Sequence, residues 1–158
     1  MIDKKTASFV QALCMGRIEE EMVVPYPRMK PAEKETVEQV LASVNQLLAP
    51  LAEDFREWDV RGEIPKAFIE ELKAFGLFGL VIPEEHGGLG FGSTAYSRVL
   101  QEISRHDASV ALTVGAHSSI GMRGLLLFGT DAQKRRWLPK LATGEMIAAR
   151  HATLGAAP

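Results

Sequence analysis

Between Asp107 and Thr130 the chain reads DASVALTVGAHSSIGMRGLLLFGT, and Arg123 is the one formal charge after Asp107. A stretch this apolar must be covered by something, and the nature of the cover limits the fold. Small residues fall at helical spacing (Ala111, Gly115, Ser119), with Val110, Leu112, Val114, Ile120, Leu125 and Leu126 between them. A membrane span fits poorly, because His117, Arg123 and the hydroxyls of Ser109, Thr113, Ser118 and Ser119 would all need partners in lipid. A helix buried on more than one face fits better, its small residues admitting other helices or a ligand close to the backbone. Asp107 suits the N-cap and Gly129 the stop. Other helices are expected to pack around this one.

The rest of the composition narrows the class. A chain of 158 residues, 46% hydrophobic and 24% charged, is one globular domain by length and is not disordered. A net charge of -2 argues for neither nucleic acid nor an anionic membrane as partner. The single cysteine, Cys14, excludes an internal disulfide and a cysteine-based zinc cluster, and a buried structural thiol is the expectation for it. The first sixteen residues, MIDKKTASFVQALCMG, hold no long apolar run and no cleavage site of the secretory kind.

In order, Thr6 to Met15 is a short amphipathic helix, and Val23 to Met29, with two prolines, is an extended connector. From Pro31, the apolar residues Val37, Val40, Leu41, Val44, Leu47, Leu48, Leu51, Phe55 and Trp58 recur at steps of three or four. This is one stripe of a long helix that Pro50 must bend or restart. Arg61 to Glu63 breaks it, and Pro65 opens another helix that ends at Gly76. Leu77 to Ile82 is a short apolar run, either a strand or an extended segment. After the glycines, Ser93 or Thr94 caps a helix bearing Tyr96, Val99, Leu100 and Ile103, and Thr130 with Gln133 forms a capping box for the last one, which Pro139 disturbs. The fold class is all-α.

Few residues are poised for chemistry. HGGLGFG puts four glycines between Gly87 and Gly92, but a dinucleotide fingerprint built on Gly88 and Gly90 needs a third glycine where Ser93 stands, and a second parallel strand. HGGLG as an oxyanion loop, with Ser119 as nucleophile, would need Ser119 at a strand-to-helix turn rather than in mid-helix. A tight turn whose glycines supply positive φ accounts for the cluster. His86, His106, His117 and His151 lack metal-ligand spacing, and His117 suits a satisfied core histidine.

Three stretches taken together closely resemble the acyl-CoA dehydrogenase family: GLFGLVIPEEHGGLGF (Gly76 to Phe91), the central helix with AHSSIG (Ala116 to Gly121), and GTDAQKRRWLPKLATGE (Gly129 to Glu145). SFVQALCMG and the VPYP connector resemble the very-long-chain branch. The resemblance implies an orthogonal bundle of about five to six helices, as in the N-terminal domain of that family. Residues 1–30 would be an N-terminal helix and connector, 31–149 the helical domain, and 150–158 a divergent tail. It further implies FAD in the intact enzyme, with α,β-oxidation of long-chain fatty acyl-CoA and electrons passed to an electron-transfer flavoprotein. On this pattern Leu112, Thr113, Ala116, His117 and Ile120 would wall the acyl chain, as an alkyl tunnel needs apolar and small side chains.

The same resemblance sets expectations of absence. The family continues after Ala149 into a strand and a Thr-Glu-Pro loop beside the flavin, where this sequence reads RHATLGAAP. No catalytic or flavin-binding residue is therefore expected in this chain, and a truncated or frame-shifted gene, or a cut piece, would explain the change at Arg150. The isolated chain is expected to be inactive, to bind no FAD, and to have self-association open to it through a side left bare. The alternative is a non-enzymatic helical module that binds a partner through that apolar face. The expected location is the bacterial cytoplasm, or the mitochondrial matrix for a eukaryotic chain.

Overall fold

Proline and glycine set the breaks between the helices. The computed structural model describes residues 9–25, 29 and 31–148. The chain divides into an N-terminal unit, residues 1–30, and a main unit from Pro31 onward. In the first, α1 (Phe9–Cys14) is followed by a 3-10 turn at Glu20–Met22. The expected helical start at residues 6–8, the middle of the connector at 26–28, and the tail at 150–158 lie outside the described residues. Cys14 is exposed, which corrects the expected burial: it is the last residue of a six-residue helix.

In the main unit, α2 (Pro31–Leu48) stops where Pro50 withholds an amide. A single 3-10 turn (Ala49–Leu51) carries the chain into α3 (Ala52–Arg61). Gly62, at φ 68°, ends α3, its N–H bonding the Asp59 carbonyl while Glu63 N–H reaches back to Trp58. Then come α4 (Lys66–Ala74), α5 (Ser93–His106), α6 (Ala108–Ala116), a π-helical turn (His117–Gly121), α7 (Arg123–Phe128) and α8 (Asp131–Ala142). Because α2 and α3 are nearly continuous and α6 to α7 form one 21-residue rod, the main unit is built of five rods. No strand occurs among the described residues, and the fold is all-α as expected.

The core follows from the helical stripes. α5 packs against α2 and against α6, and Val37, Val44 and Leu48, Ala95, Val99 and Ile103, and Val110 and Val114 are all buried. A second cluster joins Ile82, Met122, Leu138, Leu141 and Ala142. Leu77 to Ile82, expected to be extended, is instead a series of tight turns with Leu77, Phe78, Leu80 and Ile82 buried. Its carbonyls are used by the glycine turn that follows: Leu89 N–H donates to Gly79, Gly90 to Ile82 and Phe91 to Leu80, at 2.8–3.0 Å. Gly88 lies so close to this turn that a Cβ would sit 2.1 Å from the Ile82 carbonyl oxygen.

Two helix starts contrast. At α8 the capping box forms as expected: Thr130 Oγ1 accepts from Gln133 N–H at 3.3 Å and Gln133 Oε1 accepts from Thr130 N–H at 2.8 Å. Pro139 is carried inside α8 without ending it. At α5 neither Ser93 nor Thr94 is the cap. Gly92 holds that position, and Glu33, on the first turn of α2, accepts its N–H at 3.1 Å. A carboxylate there does what the glutamate of a capping box does, and it faces the positive end of the helix dipole.

Glycine-to-alanine substitution should therefore change sign with position. Gly88→Ala is expected to cost several kcal/mol, about 3 or more, because backbone on both sides must move. Gly124→Ala, in α7 with nothing within 4 Å, should stabilise by roughly 0.5–1 kcal/mol through helix propensity. Urea unfolding of the two variants checks both, and equal effects would refute the packing argument.

Candidate functional site

The 21-residue rod from Ala108 to Phe128 is the element around which a site can be built. Asp107 caps it, Oδ1 accepting from Val110 N–H at 2.7 Å. By length and composition alone the rod could cross a membrane. In this fold α6, its first part, packs on α5, and further along it His117 and Ser118 lie in the protein interior. The expectation of burial on more than one face is corrected. Val110, Val114 and Met122 face the core, whereas Leu112 is 71% exposed, Ile120 61% and Phe128 85%. Among the described residues, the other four rods of the main unit cover one side of this helix and leave Leu112, Ile120 and Phe128 exposed on the other.

The middle of the rod is not regular. Met122 N–H donates to the carbonyl of His117, five residues back, and the Gly115 carbonyl accepts the hydroxyl of Ser119 at 2.6 Å and of Tyr96 at 3.4 Å. Hydroxyls that bond a helix carbonyl compete with the backbone ladder, and single π turns inside α-helices recur at functional sites. The wide turn has His117 directed inward and Ile120 outward. His117 is fully buried, with Ala148 N–H donating to Nδ1 at 3.0 Å and Nε2 3.1 Å from the Leu141 carbonyl, so the neutral Nε2–H tautomer satisfies both contacts. The Phe78 ring meets its edge at 5.0 Å. Burial holds its pKa below the ordinary 6.5, against the opposing pull of the Leu141 and Phe78 carbonyls.

Tyr96, beside this turn, has its pKa raised by burial, while the nearby Ser118 hydroxyl and Arg123 act in the opposite direction. Ser118 Oγ is buried without a partner in hydrogen-bonding geometry.

Leu112 and Thr113 also line a cleft of about 320 Å³, together with Phe55, Trp58 and Ile64. That volume is at the lower end of the usual range for ligand pockets. Phe55 and Trp58, which line it, pack edgewise or tilted with each other and with the buried Phe68 at 4.9–5.8 Å. Asp59, Glu63 and Asp107 stand at its rim. The sequence pattern showed Phe55 and Trp58 only as part of a core stripe. The signal that could have set them apart is the Gly62 break, which opens the space beside them.

Of the five residues expected to share a wall, Leu112 and Thr113 meet at the cleft, and Ala116 and Ile120 follow at four-residue steps along the rod. His117 is turned away from them into the core.

The glycine turn offers no phosphate cradle. The amides of Gly87, Gly88, Leu89, Gly90 and Phe91 all donate to backbone carbonyls of residues 79–84, leaving none free for a cofactor. Positive φ is required at Gly87 (85°) and Gly90 (61°), as a tight turn demands. No group of three or more potential metal ligands occurs among the described residues.

Comparison with known proteins agrees with the residue-level resemblance. Residues 30–145 match the family model for the acyl-CoA dehydrogenase N-terminal domain. The mitochondrial very long-chain specific acyl-CoA dehydrogenase of Macaca fascicularis is 39% identical over 150 residues, covering 92% of this chain and 22% of that protein. The chain thus spans about a fifth of the length of the curated relatives it matches. Among solved structures, butyryl-CoA dehydrogenase from Megasphaera elsdenii superposes with a TM-score of 0.62 at 27% identity, over 77% of this chain and 32% of that one. An acyl-CoA dehydrogenase from Bacillus anthracis complexed with FAD gives 0.58 at 31% identity, over 76% and 20%.

The bare side of the rod should be adhesive in the isolated chain. Covering each 100 Å² of such surface is worth roughly 2–3 kcal/mol before association costs. The chain is expected to enhance the fluorescence of a hydrophobic dye, or to self-associate in light scattering as concentration rises. Ile120→Ser with Phe128→Ser should reduce both, and a monomer that binds no dye would show that the face is covered.

Proposed function

The chain belongs to the acyl-CoA dehydrogenase family through its N-terminal domain, and from that premise we propose that it forms part of the acyl-chain pocket of an FAD-dependent enzyme oxidising long-chain fatty acyl-CoA. The observation that carries the proposal is the apolar strip of exposed Leu112 and Ile120 with half-buried Ala116 between them, Leu112 sharing the aromatic cleft with Thr113. An alkyl chain needs a surface without unmet hydrogen bonds, and each methylene buried against one gains about 0.8 kcal/mol. Ala116 presents little more than its backbone, so a chain can lie close to the helix there. His117 contributes by holding the turn that carries these residues rather than by touching the chain.

Flavin chemistry in this reading belongs to the whole enzyme. The residues present do not fit a flavin site, since the glycine turn has spent its amides internally. In an intact family enzyme FAD would supply the redox chemistry, and none of it is assigned to the residues of this chain. The role assigned to the residues of this chain is to receive the acyl chain, exclude water from it and fix its direction.

A second reading is favoured by the reach of the apolar face beyond the wall, to Leu127 and Phe128. In it the chain is a non-enzymatic interaction module that docks a partner through that face. Titration of the purified chain with long-chain acyl-CoA, followed by the fluorescence of Trp58, separates the two. The acyl-wall reading expects a saturable change that Leu112→Asp or Ala116→Phe weakens at least about tenfold, the cost of one charge or one overfilled contact. No response at any concentration would refute it. The purified chain should also show no flavin absorption band and no acyl-CoA oxidation with an artificial electron acceptor. A yellow, active preparation would refute that expectation.

A further inference from the structure

We propose that His117 is a positioning residue that latches the strap Glu145–Ala148 onto the π turn, so that Ala116 and Ile120 keep their places only while the strap is docked. The part concerning Ala116 and Ile120 rests on the acyl-wall reading; the latch itself does not.

The turn grips the strap at both ends. At its first residue, His117 Nδ1 accepts the Ala148 amide at 3.0 Å, and at its last, Gly121 lies flat against the same residue. A Cβ on Gly121 would be 2.4 Å from the Ala148 carbonyl oxygen and 2.6 Å from the Ala148 Cβ, so Ala148 lies directly against the Gly121 backbone and leaves no room for a side chain there. Ala148 packs on the cluster of Ile82, Met122 and Leu138, and the Nε2 side of His117 holds the Leu141 carbonyl near the end of α8. One imidazole thus joins the rod, the last helix and the strap.

The bond to Ala148 requires an unprotonated Nδ1. Protonation would set N–H against N–H at a fully buried ring, at the cost of the bond and of a buried charge. Among the described residues, the groups packed on the ring are the Phe78 side chain, the Phe78 and Leu141 carbonyls and the Ala148 amide, and none of these is charged. The sign follows from burial. The folded-state pKa lies below the unfolded 6.5, so the latch is fully present above about 6.5 and is lost as pH falls from there through the folded value.

The test is nitrogen-15 NMR of the whole 158-residue chain across pH, with no ligand added, so a failure of the acyl-wall reading leaves every readout unchanged. The imidazole is expected in the Nε2–H tautomer at neutral pH and to titrate below 6.5, with the Ala148 and Gly121 amides, and those of Ala116 and Ile120, shifting at the same midpoint. In His117→Phe the Ala148 amide should exchange at least about tenfold faster, one hydrogen bond's worth, and without the pH step. His117→Gln, which can accept and donate, should restore part of the protection. An Ala148 amide that exchanges alike in wild type and His117→Phe overturns the proposal. Should His117→Phe not fold, the wild-type titration decides alone: a shared midpoint supports the latch, and an imidazole that titrates while Ala148 stays still overturns it.

Discussion

A helix in a small domain can be covered on one side more easily than on two, and most features of this chain trace to that limit. The rod from Ala108 to Phe128 is apolar around most of its circumference, yet the other four rods of the main unit enclose only the side with Val110, Val114, His117 and Met122. Small residues on the covered side let α5 approach: Gly115 has the Leu100 side chain as its nearest neighbour, at 3.6 Å from where a Cβ would be. Large ones on the other side, Leu112, Ile120, Leu127 and Phe128, remain in contact with solvent. An apolar surface of this kind, rimmed by polar residues, is the sort of face at which proteins meet partners or ligands.

What was legible in the sequence was what is decided within a few residues. Asp107, Pro50, Gly62 and the Thr130–Gln133 pair act on their immediate neighbours, and each appears in the structure at the expected place. The cap of α5 was not legible because Gly92 draws on Glu33, a long way back in the chain. Leu77 to Ile82 was ambiguous for a different reason. Six apolar residues have the same pattern in a strand as in a buried turn, and the choice falls to a later turn, Leu89 to Phe91, whose amides take up its carbonyls. The candidate site was half legible. Its helical spacing could be read, but the division of the rod into covered and bare sides depends on which other helices are present, and no local pattern records that.

The glycine cluster shows how a motif and a geometry differ. Spacing alone invited a nucleotide and an acyl-transfer reading, and both require amides that point outward. Here the amides are spent on carbonyls of residues 79–84, and Gly88 is where two segments of backbone touch. The turn works as a clasp that fixes Ile82 beneath α8 and brings Phe91 into the core.

The Glu33–Gly92 contact has a bearing on how the domain assembles. The partners are 59 residues apart, and the start of α5 has no local substitute for the carboxylate. Alone, α5 would fray from its first turn, since a helix of fourteen residues is marginal in water without tertiary support. Its nucleation is thus tied to the docking of α2, which leaves the ribosome first and waits for it. The two helices stabilise one another across a long loop, and the entropy of closing that loop is part of what the contact must offset.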